Sequence, residues 1–293
     1  MRISFLPLCA ASLALLALSG PLAAAPNEIK LGADRRIRIT DDWRFYKGDA
    51  PGAEEAKFAD AAWRTLDLPH DWAIEGPFDR KFNPHDGGLP FFGVAWYRKH
   101  FSLPAAAKGK QIAVQFDGAM SNAQVWLNGQ KVGARPYGYE SFALDLTPYV
   151  KFGEENVLSV RLAPEDQSSR WYPGAGIYRN VWLIVTGGVR VAQWGTYITT
   201  PAVTDAQATV VVKTEVENRG NAEAKASVET ALFDAAGKAA GRATSEITLA
   251  AGAKQTVEAR IEVANPHRWI WIRPTSTARR APSKRAARRP INM

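Results

Sequence analysis

Val125-Trp126-Leu127-Asn128-Gly129-Gln130-Lys131-Val132 reads as a β-hairpin. Apolar and polar positions alternate on either side of Asn128-Gly129, a dipeptide that tolerates positive φ at both central positions, as a type I′ turn requires. The same period of two recurs on both flanks. In Ile112-Ala113-Val114-Gln115-Phe116, the residues Ile112, Val114 and Phe116 share one face, and in Leu158-Ser159-Val160-Arg161-Leu162, Leu158, Val160 and Leu162 do so. Trp126 falls on the face opposite Val125 and Leu127, where cover by another domain is the simplest expectation. Few helical stretches compete: Lys57 to Trp63 suits one or two turns, and Thr147-Pro148-Tyr149-Val150 another. The expected fold class is therefore all-β: a jelly-roll β-sandwich over about residues 30–186, followed by a second β-sandwich over 187–268.

Gly187-Gly188 closes the first unit. In the second, Val210 to Val216 is read as the opening strand and Asn218-Arg219-Gly220-Asn221 as its turn. Val228 to Phe233 is a further strand, closed by Asp234-Ala235-Ala236-Gly237, and Thr256 to Val263 another. Short strands punctuated by Gly, Asn and Asp turns suit an immunoglobulin-like β-sandwich.

The N-terminus reads as an export signal, residues 1–25. Arg2 supplies the positive start, Leu13 to Leu18 the heart of an apolar run too short to span a membrane, and Ala23-Ala24-Ala25 the small residues for cleavage. A buried N-terminal helix is the alternative. The expected location is periplasmic or secreted. Cys9, the only cysteine, lies inside the apolar run, so the exported product would hold no thiol, disulfide or Cys-based metal site.

The formal net charge of +8 does not describe the body of the chain. Of 37 Lys and Arg, eight lie between Arg268 and Met293, where no acid occurs, leaving 29 against 29 Asp and Glu elsewhere. A nucleic-acid partner argued from charge is thus confined to the tail, and no nucleic-acid or membrane partner is expected of the folded part. Residues 269–293 read as a basic tail, disordered or frameshifted.

Four motifs carry the chemistry. They are Leu68-Pro69-His70-Asp71-Trp72; Asn83-Pro84-His85-Asp86-Gly87-Gly88 leading to Gly93-Val94-Ala95-Trp96-Tyr97-Arg98-Lys99; Asn122 to Gly129; and Ser168-Ser169-Arg170-Trp171-Tyr172-Pro173-Gly174-Ala175-Gly176-Ile177-Tyr178-Arg179-Asn180-Val181-Trp182. The last sets aromatic faces beside hydrogen-bonding groups, which suits a sugar: its C–H face stacks and its hydroxyls need partners. Ten Trp are many for this length, though most are expected in the sandwich core.

In this order the four motifs resemble the N-terminal sugar-binding domain of glycoside hydrolase family 2, the β-galactosidase and β-glucuronidase family. The resemblance covers nearly all of the chain after the signal, up to Trp269. It implies an immunoglobulin-like domain in second place, followed by a (β/α)₈ barrel whose two Glu hydrolyse β-glycosides with retention, their carboxyls about 5–5.5 Å apart. That barrel is missing here, so the expectation is a non-catalytic N-terminal portion of an exported β-galactosidase-type hydrolase. Its partners would be a β-galactoside or related glycan and the missing barrel. A stand-alone carbohydrate-binding module is the alternative. No cofactor and no metal are expected.

The resemblance also implies that jelly-roll loops reach the mouth of the barrel. Asp71 is either an acceptor for sugar hydroxyls or a loop-end carboxylate capping backbone N–H groups. Asn83 and Asp86 sit in a Gly-rich loop that a ligand could approach closely, or simply form that loop. Arg170, Trp171 and Tyr172 lie where the family's sugar-contacting segment aligns, although a family member with Asp near Arg170 departs from this chain. Glu75 and Glu140 lie on separate loops without the context of an acid pair. His70, His85, His100 and His267 lack metal-ligand spacing. Tyr137-Gly138-Tyr139 suits a packed turn better than a sugar platform.

In the family, Pro-His-Arg-Trp, here Pro266 to Trp269, leads into a Ser-Leu-Asp-x-Pro-x-Leu-Tyr strand. Suitable synonymous codons for Ile270 to Arg279, read two bases on, give Leu-Asp-Pro-Pro-Asp-Leu-Tyr-Arg-Ala. The expectation is a frameshift near Trp269. The coding DNA downstream tests it: no long open domain in another frame would rule it out.

Overall fold

The structure, a computed structural model, describes residues 27–32, 35–82, 93–165 and 171–268, together with the backbone of 283–285 and 289–291. It is all-β, as the alternation predicts. The first unit holds β1 (Arg36–Arg38), β2 (Trp43–Lys47), β3 (Arg64–Leu66), β4 (Ala95–Ser102), β5 (Gln111–Phe116), β6 (Ala123–Leu127), β7 (Gln130–Arg135), β8 (Phe142–Asp145), β9 (Glu155–Leu162) and β10 (Val181–Thr186). They form a six-stranded sheet, β3-β2-β4-β9-β6-β7, and a four-stranded sheet, β1-β10-β5-β8.

One core joins the two sheets. Ile112, Val114 and Phe116 meet Leu158, Val160 and Leu162, all buried, along with Trp43, Tyr97 and Phe101. Each such side chain contributes about 1.5–3 kcal/mol relative to exposure. The Trp43 indole N–H donates to the Ile39 carbonyl at 2.8 Å, so no polar group is stranded there. Asn128 and Gly129 adopt φ of 55° and 86°, the pair of positive values that the hairpin needs. The Asn128 amide also donates to Asn156 Oδ1 (2.9 Å) and its oxygen accepts from the Val157 N–H (2.9 Å), which ties the turn to β9.

The outer face of the six-stranded sheet is covered by the chain's own residues 48–63. Trp126 stacks on Trp96 with ring centroids 5.4 Å apart, and both pack with Ala50, Ala53, Phe58 and Trp63. The expected cover from another domain is therefore supplied, for this ring, from within the same unit. The two expected helical stretches are single turns, closed by Trp63 N–H to Asp60 O (2.9 Å) and Val150 N–H to Leu146 O (3.0 Å). Short 3₁₀ turns occur instead at Ala73–Glu75 and Ala105–Ala107.

The second unit contains β11 (Val189–Val203), β12 (Gln207–Asn218), β13 (Ala224–Phe233), β14 (Ala239–Leu249), β15 (Lys254–Ala264), β16 (Ser283–Arg285) and β17 (Arg289–Ile291). One sheet runs β11-β12-β15 and the other β14-β13-β16-β17. The unit opens at Val189, not at the Val210 strand. β11 escapes sequence reading because its register breaks twice, between Val191 and Thr196 and between Thr199 and Ala202, and because Trp194 takes φ 53°. β14 escapes it because its first half is small or polar. Gly241 there lies so close to Ile261 that an added Cβ would fall 2.3 Å from Ile261 Cγ2.

Polar ties join the units. Arg190 donates to Glu217 Oε1 (2.6 Å) and to Thr186 Oγ1 (3.0 Å), and Arg35 to the Val191 carbonyl (3.1 Å). Burial works against the Glu217 charge, but the guanidiniums of Arg190 and Arg219 outweigh it and hold the carboxyl below its usual range.

Candidate functional site

At one end of the first sandwich, the first and last motifs are stitched together by backbone. The His70 N–H donates to Ile177 O and the Trp72 N–H to Ala175 O, both at 2.9 Å. On the other side Gly176 exchanges bonds with Met120, at 2.9 and 3.0 Å. Glycine is required at 176: its φ is +146°, and a Cβ would lie 2.2 Å from the His70 carbonyl oxygen. Two sequence segments a hundred residues apart thus form one surface.

Asp71 sits at this seam. Its Oδ1 accepts from the N–H groups of Ala73 (3.0 Å) and Ala175 (3.1 Å), and its Oδ2 accepts the Tyr172 hydroxyl at 2.7 Å. This is the capping arrangement, extended by one phenol. A carboxylate has about four lone-pair sites, so these three bonds leave room for one more donor. Burial, then the bond to Asp71, pushes the Tyr172 hydroxyl well above the usual phenol range, so it stays a donor.

Beside Tyr172, the exposed Trp171 donates its indole N–H to Tyr139 Oη at 3.0 Å, and that hydroxyl approaches Pro173 O at 3.3 Å. Tyr137 lies edge-on to Tyr139, 5.7 Å between centroids, and is also exposed. The Tyr178 hydroxyl bonds Gly138 O at 2.9 Å and fastens the 137–139 turn beneath them. The result is an aromatic surface with hydroxyls and a carboxylate at its edge.

Behind it runs a polar ladder that motif reading did not foresee. Tyr97 Oη and His70 Nδ1 are 2.7 Å apart, and His70 Nε2 is 3.0 Å from Glu75 Oε1. Glu75 in turn takes both Arg64 nitrogens, at 2.7 and 2.9 Å. One tautomer satisfies all of this: Tyr97 donates to Nδ1, and Nε2–H donates to Glu75. Burial holds His70 below its usual range, more than Glu75 can offset, and the Arg64 bonds hold Glu75 below the usual carboxylate range. Glu75 is thereby engaged, and Glu140 is paired with Arg135 at 2.9 Å. No local signal marks Arg64, and Tyr97 stands in the second motif without a partner assigned to it there; the fold delivers the two from separate strands. Among the candidate residues, Asp71, Trp171 and Tyr172 come together, whereas Asn83, Asp86 and Arg170 lie outside the described residues. Among the described residues there is no cluster of His, Cys, Asp and Glu able to hold a metal.

A pH dependence follows from His70. The unfolded imidazole gains a proton as pH falls through about 6.5, while the buried one gains it only at lower pH. The unfolded state therefore binds more protons in that window, and stability should fall as pH drops below about 6.5, with a slope of at most about 1.4 kcal/mol per pH unit for this group. Melting temperatures between pH 7.5 and 5 measure it. A His70→Gln variant with the same slope would remove His70 as the cause.

The family model described as glycosyl hydrolases family 2, sugar binding domain, matches residues 39–187, and a second, described as glycosyl hydrolases family 2, matches 189–275. The chain belongs to glycosyl hydrolase family 2. A β-galactosidase of Bacteroides ovatus, BoGH2A, is 43% identical over 252 residues, covering 85% of this chain and 29% of that protein. A β-glucuronidase of Formosa agariphila is 29% identical, over 78% of this chain and 26% of its own length. The crystal structure of a family 2 member from Bacteroides cellulosilyticus matches with a TM-score of 0.79 at 36% identity, over 85% of this chain and 33% of that one. A family 2 β-glucuronidase structure matches with a TM-score of 0.81 at 26% identity, over 90% and 30%. The chain thus spans under a third of the length of the curated relatives named.

Proposed function

We propose that this chain is the non-catalytic N-terminal portion of an exported β-galactosidase-type glycoside hydrolase, which removes terminal β-linked sugars by a retaining mechanism. The observation that carries the reading is the pair of family 2 units in order within a chain that spans 29% of its galactosidase relative. Asp71, Trp171 and Tyr172 contribute to the sugar site, and the family resemblance assigns Asn83, Asp86 and Arg170 to it as well. The reacting carboxylates belong to a (β/α)₈ barrel on other polypeptide. Bound Glu75 and Glu140 support this, since each already neutralises an arginine. Export rests on Arg2, the Leu13 to Leu18 run and Ala23-Ala24-Ala25.

Purified chain is expected to hydrolyse p-nitrophenyl-β-galactoside at background rate, and turnover well above background would overturn the proposal. The exposed Tyr137, Tyr139 and Trp171 favour a second reading, a stand-alone carbohydrate-binding module. Calorimetry separates the two: millimolar or tighter galactoside binding by the chain alone supports the module.

A further inference from the structure

The joint between the two units carries more positive charge than it neutralises. Glu217, a buried carboxylate on β12, has both oxygens engaged there: Oε1 accepts from Arg190 Nε at 2.6 Å and Oε2 from Arg219 Nε at 3.0 Å. Lys254, 3.8 Å from Glu217, is matched by Glu215 at 3.0 Å. On β1, Arg36 stands 3.7 Å from Asp117 Oδ1, and the Asp117 oxygens already accept the Gln115 amide and the Trp182 indole N–H, each at 2.7 Å. Arg35 adds a fourth guanidinium. The four arginines, set against Glu217 and Asp117, leave a surplus of two positive charges.

Arg35 carries the part of that surplus that no carboxylate meets. Its backbone carbonyl accepts the Val185 N–H at 2.8 Å in the first unit, and its Nη1 donates to the Val191 carbonyl at 3.1 Å in the second. Arg190 reaches Thr186, the residue after Val185, so the two guanidiniums are held from neighbouring strands. The Arg35 Nε is buried and has no hydrogen-bond partner among the described residues. Burial, then repulsion from Arg190 and Arg36, holds this guanidinium below its usual range, and Glu217 offsets only part of that.

A guanidinium presents Nε–H and one Nη2–H in parallel along a single edge, spaced for two oxygens of one oxyanion. In Arg35 the engaged nitrogen is Nη1, so this edge is left without an acceptor among the described residues. A buried N–H without an acceptor is unfavourable. Water could satisfy it but brings no charge. Two unmatched positive charges suit an anion that carries two negative ones.

We infer that the Nε–Nη2 edge of Arg35, backed by Arg190 and Arg36, binds a small tetrahedral dianion, sulfate or phosphate. Because Arg35 is tied to Val185 on one side and Val191 on the other, the bound anion stiffens the joint between the two sandwiches.

Thermal melting of the full chain tests this, with sodium sulfate and sodium phosphate compared with sodium chloride at equal ionic strength. About 10 mM of either dianion should raise the melting temperature by about 3 °C, in a saturable way, as for a site of about millimolar affinity. The basic residues after Arg268 also attract anions, so the decisive variant is Arg35→Gln, which should abolish the shift. Arg35→Lys keeps the charge without the fork and should weaken binding about tenfold. A saturable shift that survives in Arg35→Gln overturns the proposal, as does a parent shift no larger than that in chloride. A shift that appears only once Asp34→Asn is introduced also overturns it, since the native occupant is then that carboxylate. If Arg35→Gln does not fold, crystals of the parent soaked in selenate decide: anomalous density within hydrogen-bond reach of Arg35 Nε and Nη2 is expected, and its absence overturns the proposal. No sugar enters, so failure here is separate from failure of the galactosidase reading.

Discussion

Arg98→Met is expected to lower the melting temperature of the first sandwich by about 10 °C, from a loss of about 3–5 kcal/mol. Arg98 is completely buried on the outer face of β4. Its Nε donates to Asp60 Oδ2 at 2.6 Å and its Nη1 to Ser159 Oγ at 2.9 Å. It also donates to the carbonyls of Ala53, Glu55 and Ala56, so one guanidinium fastens the 48–63 segment over the sheet. Removing it leaves the Asp60 carboxylate, 7% exposed, with His100 at 2.8 Å as its remaining side-chain partner among the described residues. Burial already works against that charge, and the bonds from His100 and Arg98 outweigh it. Three carbonyls lose their donor as well. Arg98→Lys should recover little, because an ammonium cannot span the fork of acceptors. Adding Asp60→Leu to Arg98→Met should recover much of the loss, since no lone buried charge remains. Calorimetry on the three variants checks this, and a loss under about 1 kcal/mol for Arg98→Met would refute the role given to it.

Gly176→Ala is expected to cost about 3 kcal/mol or more and to loosen the candidate site. Two costs add: a backbone at φ +146° that L residues avoid, about 1–3 kcal/mol, and a Cβ set 2.2 Å from the His70 carbonyl oxygen and 2.8 Å from Tyr97 Oη. Relief of that clash parts residues 70–72 from 175–177 and so removes Asp71 from the Ala175 N–H. Gly237→Ala is the control, with φ +83° and nothing within 4 Å of its added Cβ, so it carries the backbone cost alone. Urea midpoints of the two variants should therefore differ by about 2 kcal/mol or more. Equal losses would show that the close approach at Gly176 is not what holds the seam.

Much of the fold was legible along the chain. The Asn128-Gly129 turn and the alternating Ile112 to Phe116 and Leu158 to Leu162 strands carry period two and turn chemistry in a few consecutive residues. β11 was not legible, because two register breaks scatter its inward positions, and β14 was not, because small residues suit its contact with Ile261 without marking a face. The site divides in the same way. Asp71, Trp171 and Tyr172 stand in motifs with local chemistry, whereas Arg64 carries no such mark, and the partners of Tyr97 and Tyr139 emerge only where the fold brings them to His70 and Trp171.

What this sequence settled alone is what depends on neighbours a few positions apart: strand period, turn type, the neutral body with its basic tail, and a motif order that places it in family 2. The tertiary structure decided which groups share a hydrogen bond across a hundred residues and where Asp71 spends its oxygens. Those depend on how two sheets lie against each other, and a distance through space between residues far apart in the chain is not encoded in any short window of it.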